Sequence, residues 1–311
     1  MDTGEQINTT REDELELVLE MTPALAQKRR SQGRIIFDRF IRNRTATIGA
    51  IFLLLLILFC FVGPILTGHS NAEQPNVTTP SAAPSLQYPF GSDDLGRDLL
   101  ARVAIGGRVS LIVGLSSMLV AILLGIAIGS VAGYYGGVID NILMRVTDVF
   151  LAVPTYLLLF VLSASFTNGS ILSVITLIAI FSWTTSARLV RGEFLALKER
   201  EYVMAARTIG AKNFRLMFHH ILPNALGPII VSSTLLVGNN IILESVLSFF
   251  GFGIKVPFPS WGSLINDGQG LIDTDPKLVF IPGVMIFLTV LSCNLVGDGL
   301  RDALDPQMTE R

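Results

Sequence analysis

Residues 51–66 read IFLLLLILFCFVGPIL. The apolar run containing them, Ala46 to Leu66, holds no charged side chain. A helix needs roughly 20 such residues to cross a hydrocarbon core about 30 Å thick. A polar tail, residues 1–45, precedes the run, and no acceptable signal-peptide cleavage site follows the apolar stretch. The run therefore reads as an uncleaved membrane anchor. The whole composition agrees. Of 311 residues, 50% are hydrophobic and only 15% charged, with a mean hydropathy of +0.59. Soluble domains carry about 25% charged residues. A soluble enzyme and a disordered regulator are both excluded. The formal net charge of −2 implies no nucleic-acid partner. Cys60 and Cys293 lie in apolar runs and suggest core or lipid-facing residues rather than a disulfide framework.

Five more apolar runs follow: Val109 to Gly133, Ile142 to Ser165 with a break at Pro154, Ile171 to Val190, Ala225 to Leu247, and Leu278 to Val296 with Pro282 near its start. The expectation is an all-α membrane protein with six transmembrane helices. Lys and Arg near span ends set the orientation. Eighteen of them fall in the tail, in segment 184–222, at Arg145 and after residue 298; five fall in segments 67–109 and 246–277. The majority side should be cytoplasmic, which places both termini there. The expected organisation is a cytoplasmic tail 1–45, a first span 46–66, an external loop 67–108, a membrane core 109–300 and a cytoplasmic tail 301–311. In the external loop, Leu95 to Ile105 suggests a short amphipathic helix lying along the membrane. The segment TREDELELVLE, residues 10–20, suggests another short helix. Segment 248–277 is rich in turn residues and reads either as a cap over a pore or as a solvated loop.

Charges inside spans are costly and point to function by default. Arg145 and Asp148 are three residues apart and can pair on one helix face. Glu244 lies near one end of the fifth span, and Asp298 near one end of the sixth. No chain of acids suggests a proton relay, and no TVGYG filter suggests a potassium channel. Ser116, Ser117, Ser163, Ser173, Ser232, Ser233, Thr234, Asn239, Asn240 and Asn294 suit helix packing. They suit a path for a polar peptide backbone equally well. Gly210-Ala211-Lys212-Asn213 is not a phosphate-binding loop, so ATP is not expected to bind this chain through one. His219 and His220 are adjacent, about 100° apart on a helix, and His69 is isolated. No metal site is expected.

Residues 198–222 read KEREYVMAARTIGAKNFRLMFHHIL. Lys198 to Ile209 is helix-compatible, and Gly210 is a natural stop. A second helix can begin at Lys212 or Asn213, with Phe214, Met217, Phe218 and Ile221 at amphipathic spacing. Pro223 marks entry to the fifth span. Ala205 and Ala206 would let a partner's backbone approach closely. A surface helix with no partner is the alternative.

The pattern Ala205-Ala206-x-x-x-Gly210 followed by Leu222-Pro223 resembles the signature loop of ABC-importer membrane subunits. FGSDDLGRDLLARVAIGGRVSL at 90–111, GYYGGVIDNILMR at 133–145, ARLVRGEFLALKEREYV at 187–203, SWGSLINDG at 260–268 and NLVGDGLRDALDP at 294–306 resemble the peptide/nickel permease group. Within that group they are most similar to C-type subunits of oligopeptide permeases. The resemblance covers about residues 34–308. The usual Glu of the signature is Met204 here, with Glu201 one turn earlier.

The resemblance implies a type I importer fold and a multi-pass place in the bacterial inner membrane. It implies a coupling helix within about 198–222 that meets an ATPase through Glu201, Met204, Ala205, Ala206, Gly210, Ala211 and Lys212. It implies a B-type partner subunit, two ATP-binding subunits holding ATP and Mg, and an external peptide-binding protein. This chain would hold no cofactor and hydrolyse nothing. Trp261, Asp267 and Glu244 are expected as gate or substrate-delivery contacts. Competing classes are an ion-coupled secondary transporter using Arg145, Asp148 and Glu244, a passive channel, or the same importer with dipeptide, nickel-chelate or glycosidic cargo.

Overall fold

The computed structural model describes residues 32–66, 80–86, 88–166, 168–255 and 257–304. The helix expected at residues 10–20, His69, and the tail after residue 304 lie outside them. The chain divides into Met1–Arg39 and Phe40–Arg311. Helix α1, Gln32–Arg42, runs across that division, and α2, Arg44–Leu66, follows it. The remaining helices are α3 (Leu99–Tyr135), α4 (Gly137–Ala152), α5 (Thr155–Phe166), α6 (Ile171–Leu197), α7 (Glu201–Thr208), α8 (Asn213–Phe249), α9 (Trp261–Gly268) and α10 (Lys277–Leu304). No strand occurs among the described residues.

Among the described residues, five helices are long and apolar enough to cross a membrane: α2, α3, α6, α8 and α10. The pair α4 and α5 is long and apolar enough only when taken together, is bent by 85° at its break, and makes a sixth if the two are one span. The bend falls at Pro154, whose ring excludes a regular helix there.

One boundary differs from expectation. Leu95 to Ile105 is not a separate helix along the membrane. Asp98 caps α3, its side chain accepting from Leu100 N, and the helix then runs unbroken for 37 residues. The adjacent Gly106 and Gly107 do not break it, because both are packed. A Cβ on Gly107 would lie 2.5 Å from Cys60 Sγ, and one on Gly106 would lie 3.2 Å from the Ser260 backbone. Glycine here permits close approach rather than a turn.

The central packing is α3 on α6. Gly125, Gly129 and Gly133 lie one turn apart along α3. A Cβ on Gly125 would sit 2.5 Å from Ser186 Cβ, and one on Gly133 would sit 2.7 Å from Phe194 Cβ. The α6 backbone therefore lies directly against that of α3, as small residues allow between membrane helices. Helix α8 packs on α3, α6 and α10, and α10 packs on α2. The exposed side chains of α2 are almost wholly apolar, including Ile51, Leu54, Leu55 and Leu58. That is the surface expected of a lipid-facing helix.

Candidate functional site

Helix α7 lies beyond the end of α6. Val203 and Ala206, three residues apart, are buried against Phe194, Leu216 and Ile221. Glu201, Tyr202, Met204 and Ala205 face outward. The helix ends in a Schellman motif: Ala211 N donates to Ala206 O at 3.1 Å, and Gly210 N donates to Arg207 O at 3.0 Å. This turn requires the left-handed backbone of Gly210, at φ 86°. The expected stop at Gly210 is where the helix turns, and Ala211 tucks against the same cluster as Ala206.

Beyond the turn, α8 opens with one α-helical turn, Asn213–Arg215, and then a π segment, Leu216–Ile221. Leu222 N donates to Met217 O, five residues back. Pro223 explains the widened turn, since its ring would collide with the carbonyl four residues earlier in a regular helix. Asn224 Nδ2 donates to the neighbouring His220 O at 2.6 Å. The resulting ledge exposes Ile209 (86%), Phe214 (73%) and Met204 (52%), with Lys212 and Arg215 beside them.

The ledge is braced to the membrane helices. Tyr134 Oη donates to Asn213 Oδ1 at 2.8 Å. Lys198 Nζ donates to Gly133 O at 3.1 Å, satisfying a carbonyl in the last turn of α3. Arg191 grips Asp140 with two bonds of 2.5 and 2.6 Å. Bidentate pairing fixes orientation as well as contact. A push on α7 would therefore be passed to α3, α4 and α6 together.

The opposite ends of α3 and α8 carry a second polar assembly. Asp93 accepts from the backbone of Leu95 and Arg97 and from the side chains of Arg97 and Arg102. Arg102 also donates to Asp267 at 2.9 Å, tying α3 to α9. Ser260 and Ser263 form a capping box that starts α9. Trp261 is fully buried and donates from Nε1 to Val103 O at 2.9 Å. Gly262 packs against the Ser245 backbone. Beneath α9, Glu244 is fully buried and accepts from Ser110 at 2.8 Å and Ser248 at 2.7 Å. A cavity of about 320 Å³ lies beside α9, lined in part by Arg97, Arg102, Phe258 and Asp267. Deeper down, Asn240 bridges Ser117 and Ser182, so these polar residues serve helix packing.

Of the residues expected at the coupling helix, Glu201, Met204, Ala205 and Ala206 lie on α7 and Gly210, Ala211 and Lys212 in the turn after it; Ala206 turns inward, Ala211 is half-buried, and Glu201, Met204, Ala205, Gly210 and Lys212 are exposed. Of the residues expected at the gate, Trp261 and Glu244 have no surface, and Asp267 is exposed at α9. Asp148 pairs with Arg188 at 2.6 Å and not with Arg145. Cys60 and Cys293 are free and buried. No cluster of metal-ligating side chains occurs among the described residues. The glycine seam, the π turn and the bracing by Tyr134 and Lys198 were not among the expectations. The i,i+4 glycines and Pro223 were their visible signals.

Comparison with known proteins agrees with this architecture. Residues 31–84 match the N-terminal TM domain of oligopeptide transport permease C. The oligopeptide transport system permease protein OppC of Bacillus subtilis is 39% identical over 87% of this chain and 88% of its own. The dipeptide transport system permease protein DppC of Bacillus subtilis is 41% identical over 87% and 84%. The glutathione transport system permease protein GsiD of Pectobacterium atrosepticum is 39% identical over 90% and 92%. Among solved structures, a chain of the MetNI methionine ABC transporter shares the fold, with a TM-score of 0.53 at 17% identity over 66% of this chain and 97% of that one. Residues 125–310 match the binding-protein-dependent transport system inner membrane components, and with a multi-helix membrane fold and relatives aligned over most of its length, this chain belongs to that family as a permease subunit of an ABC importer.

Proposed function

We propose that this chain forms half of a translocation pathway for short peptides in the bacterial inner membrane, with both termini in the cytoplasm. The observation that carries the reading is the α7 ledge: an exposed apolar surface held rigidly to α3, α4 and α6. An ATPase subunit docks there through Tyr202, Met204, Ala205, Ile209 and Phe214, with Glu201 and Lys212 at its rim. Gly210 and Ala211 shape the turn. Ala206 supports the surface from below. A second, related permease subunit supplies the other half of the path and the other ledge. ATP and Mg reside in the two ATPases, and this chain catalyses no reaction and needs no cofactor. Closure of the ATPases moves each ledge, and the braced helices move with it, a two-state element biased by a partner.

On the opposite side, an external peptide-binding protein delivers cargo near α9 and residues 80–98. Asp267 lies at that surface, while Trp261 and Glu244 hold α9 in place from within. The similarity to permeases named for oligopeptides, dipeptides and glutathione supports a peptide cargo. Competition for uptake among labelled di-, tri- and pentapeptides, with and without ATP, tests this. ATP-dependent uptake of at least one length is expected. Uptake driven by an ion gradient alone, or of a non-peptide solute only, would overturn it.

A further inference from the structure

Helix α1 is two-sided. Its apolar residues Ile36, Phe37, Phe40 and Ile41 gather on one side, and Arg34, Asp38 and Arg42 line the other at four-residue intervals. Only Ile35 breaks the division. The apolar side is partly covered: Ile36 and Phe40 are half-buried, but Phe37 is 62% exposed and Ile41, one turn on, is 50% exposed. Arg34, Arg42 and, just beyond the helix, Arg44 are exposed as well.

The joint with α2 sets where the helix ends. Asn43 alone separates the two. Its Oδ1 accepts from Ala46 N at 3.2 Å and caps α2. Thr47 Oγ1 donates to Ile41 O at 3.1 Å, six residues back. In an unbroken helix a threonine reaches only three or four residues back, so the chain bends at Asn43. Asn43 Nδ2 also donates to Asp302 at 3.1 Å, in the last turn of α10. The bend therefore falls at the rim of the apolar span, and α1 leaves it off the line of α2.

Charge identifies what covers the open side. From Lys28 to Arg44 the sequence holds seven Lys and Arg against one acid, Asp38, in a chain of net charge −2. Topology alone asks only for positive charge near a span end; it needs neither a helix nor an open apolar strip. A basic helix with such a strip, at a membrane rim, matches an anionic bilayer surface. Exposed apolar side chains resume at Ile48 of α2, so the lipid-facing surface follows the strip directly along the chain.

We propose that α1 is an interfacial helix that binds anionic phospholipid. Phe37 and Ile41 lie at the boundary between headgroups and acyl chains, and Arg34, Arg42 and Arg44 donate to phosphate oxygens of the lipids around the first span. Guanidinium suits that acceptor because its fork can donate twice to one phosphate. The inference rests on α2 crossing the bilayer and not on the cargo.

The test uses the complete complex in nanodiscs of phosphatidylcholine mixed with phosphatidylglycerol, so both leaflets are alike and orientation does not matter. An environment-sensitive fluorophore is placed on Phe37→Cys; the native Cys60 and Cys293 are buried. Phosphatidylglycerol carrying a nitroxide high on its acyl chain should quench it at least about threefold more than phosphatidylcholine carrying the same group, since each cation near an anionic surface raises local concentration about fivefold. The preference should disappear in the triple variant Arg34→Gln, Arg42→Gln, Arg44→Gln and, with no variant needed, in high salt. Iodide in the water should quench a fluorophore on Asp38→Cys more than one on Phe37→Cys. Equal quenching by the two lipids would remove the anionic preference and overturn the inference. A fluorophore at position 37 reached by iodide and by neither lipid would place the strip in water, and one reached by none of the three would place it under protein; each overturns the inference and leaves the permease reading intact.

Discussion

Gly125→Ala adds one methyl group to the seam between α3 and α6. The new Cβ would stand 2.5 Å from Ser186 Cβ and 3.0 Å from both Ala187 N and the Ser186 carbonyl carbon, whereas ordinary contact begins at 3.4 Å. None of these atoms can swing aside, because all belong to the α6 backbone or are attached directly to it. The two helices must part by roughly 1 Å, as close-packed interiors do not absorb such an overlap locally. Gly129 and Gly133 share the seam, so the parting spreads along two further turns. Overpacking of this kind costs about 1–3 kcal/mol. At about 2–4 °C per kcal/mol for a chain of this size, the midpoint of thermal unfolding should fall by about 2–12 °C. The assay is the temperature at which the detergent-solubilised chain loses its monodisperse elution. Gly192→Ala is the matched control, since a Cβ there meets nothing within 4 Å. It should leave the midpoint unchanged or raise it, since Ala is favoured over Gly in a helix by up to about 1 kcal/mol. Equal midpoints for Gly125→Ala and wild type would refute the close-packed seam. A fall as large for Gly192→Ala would show that glycine itself, and not contact, is what matters.

Three further outcomes are expected. Gly210→Val forces a β-branched residue into left-handed backbone, at a cost of about 1–2 kcal/mol. The protein should still insert, while ATP hydrolysis by the complex continues with uptake lost; full transport would contradict this. Ala205→Trp, on the exposed face of α7, should leave the melting point intact and reduce ATPase co-purification, whereas Ala206→Trp, on the buried face, should lower the melting point itself. The opposite pattern would reverse the assignment of faces. Cysteines replacing Ser85 and Asp267 should react with an impermeant reagent applied outside intact cells, and one replacing Lys212 should not; reversed labelling would invert the topology.

Much of the fold was legible because membrane helices announce themselves by length and apolarity. The break at Pro154 and the turn at Gly210 follow from single residues with strong backbone preferences, and both appear where expected. What was hidden depends on neighbours distant in the chain. Gly106-Gly107 looks like a helix breaker until Trp261 and Cys60 are seen filling the space beside it. Asp148 has Arg145 within reach on its own helix, yet its partner comes from α6, which no local spacing reveals. The inward turn of Ala206 was readable in principle: Val203 and Ala206 are three residues apart, which is one face of a helix. Glu244 is legible as a charge, but its place between Ser110 and Ser248 exists only once α3 packs on α8.

The central claim is that this chain works only as a subunit coupled to separate ATPases through α7. The most direct test is purification of the tagged chain from its native membrane in mild detergent, with mass spectrometry of what accompanies it. A second multi-span permease chain together with ATPases bearing phosphate-binding loops is the predicted result, with the ATPases lost in Ala205→Trp. A single species, stable and transporting peptide by itself, would contradict the account.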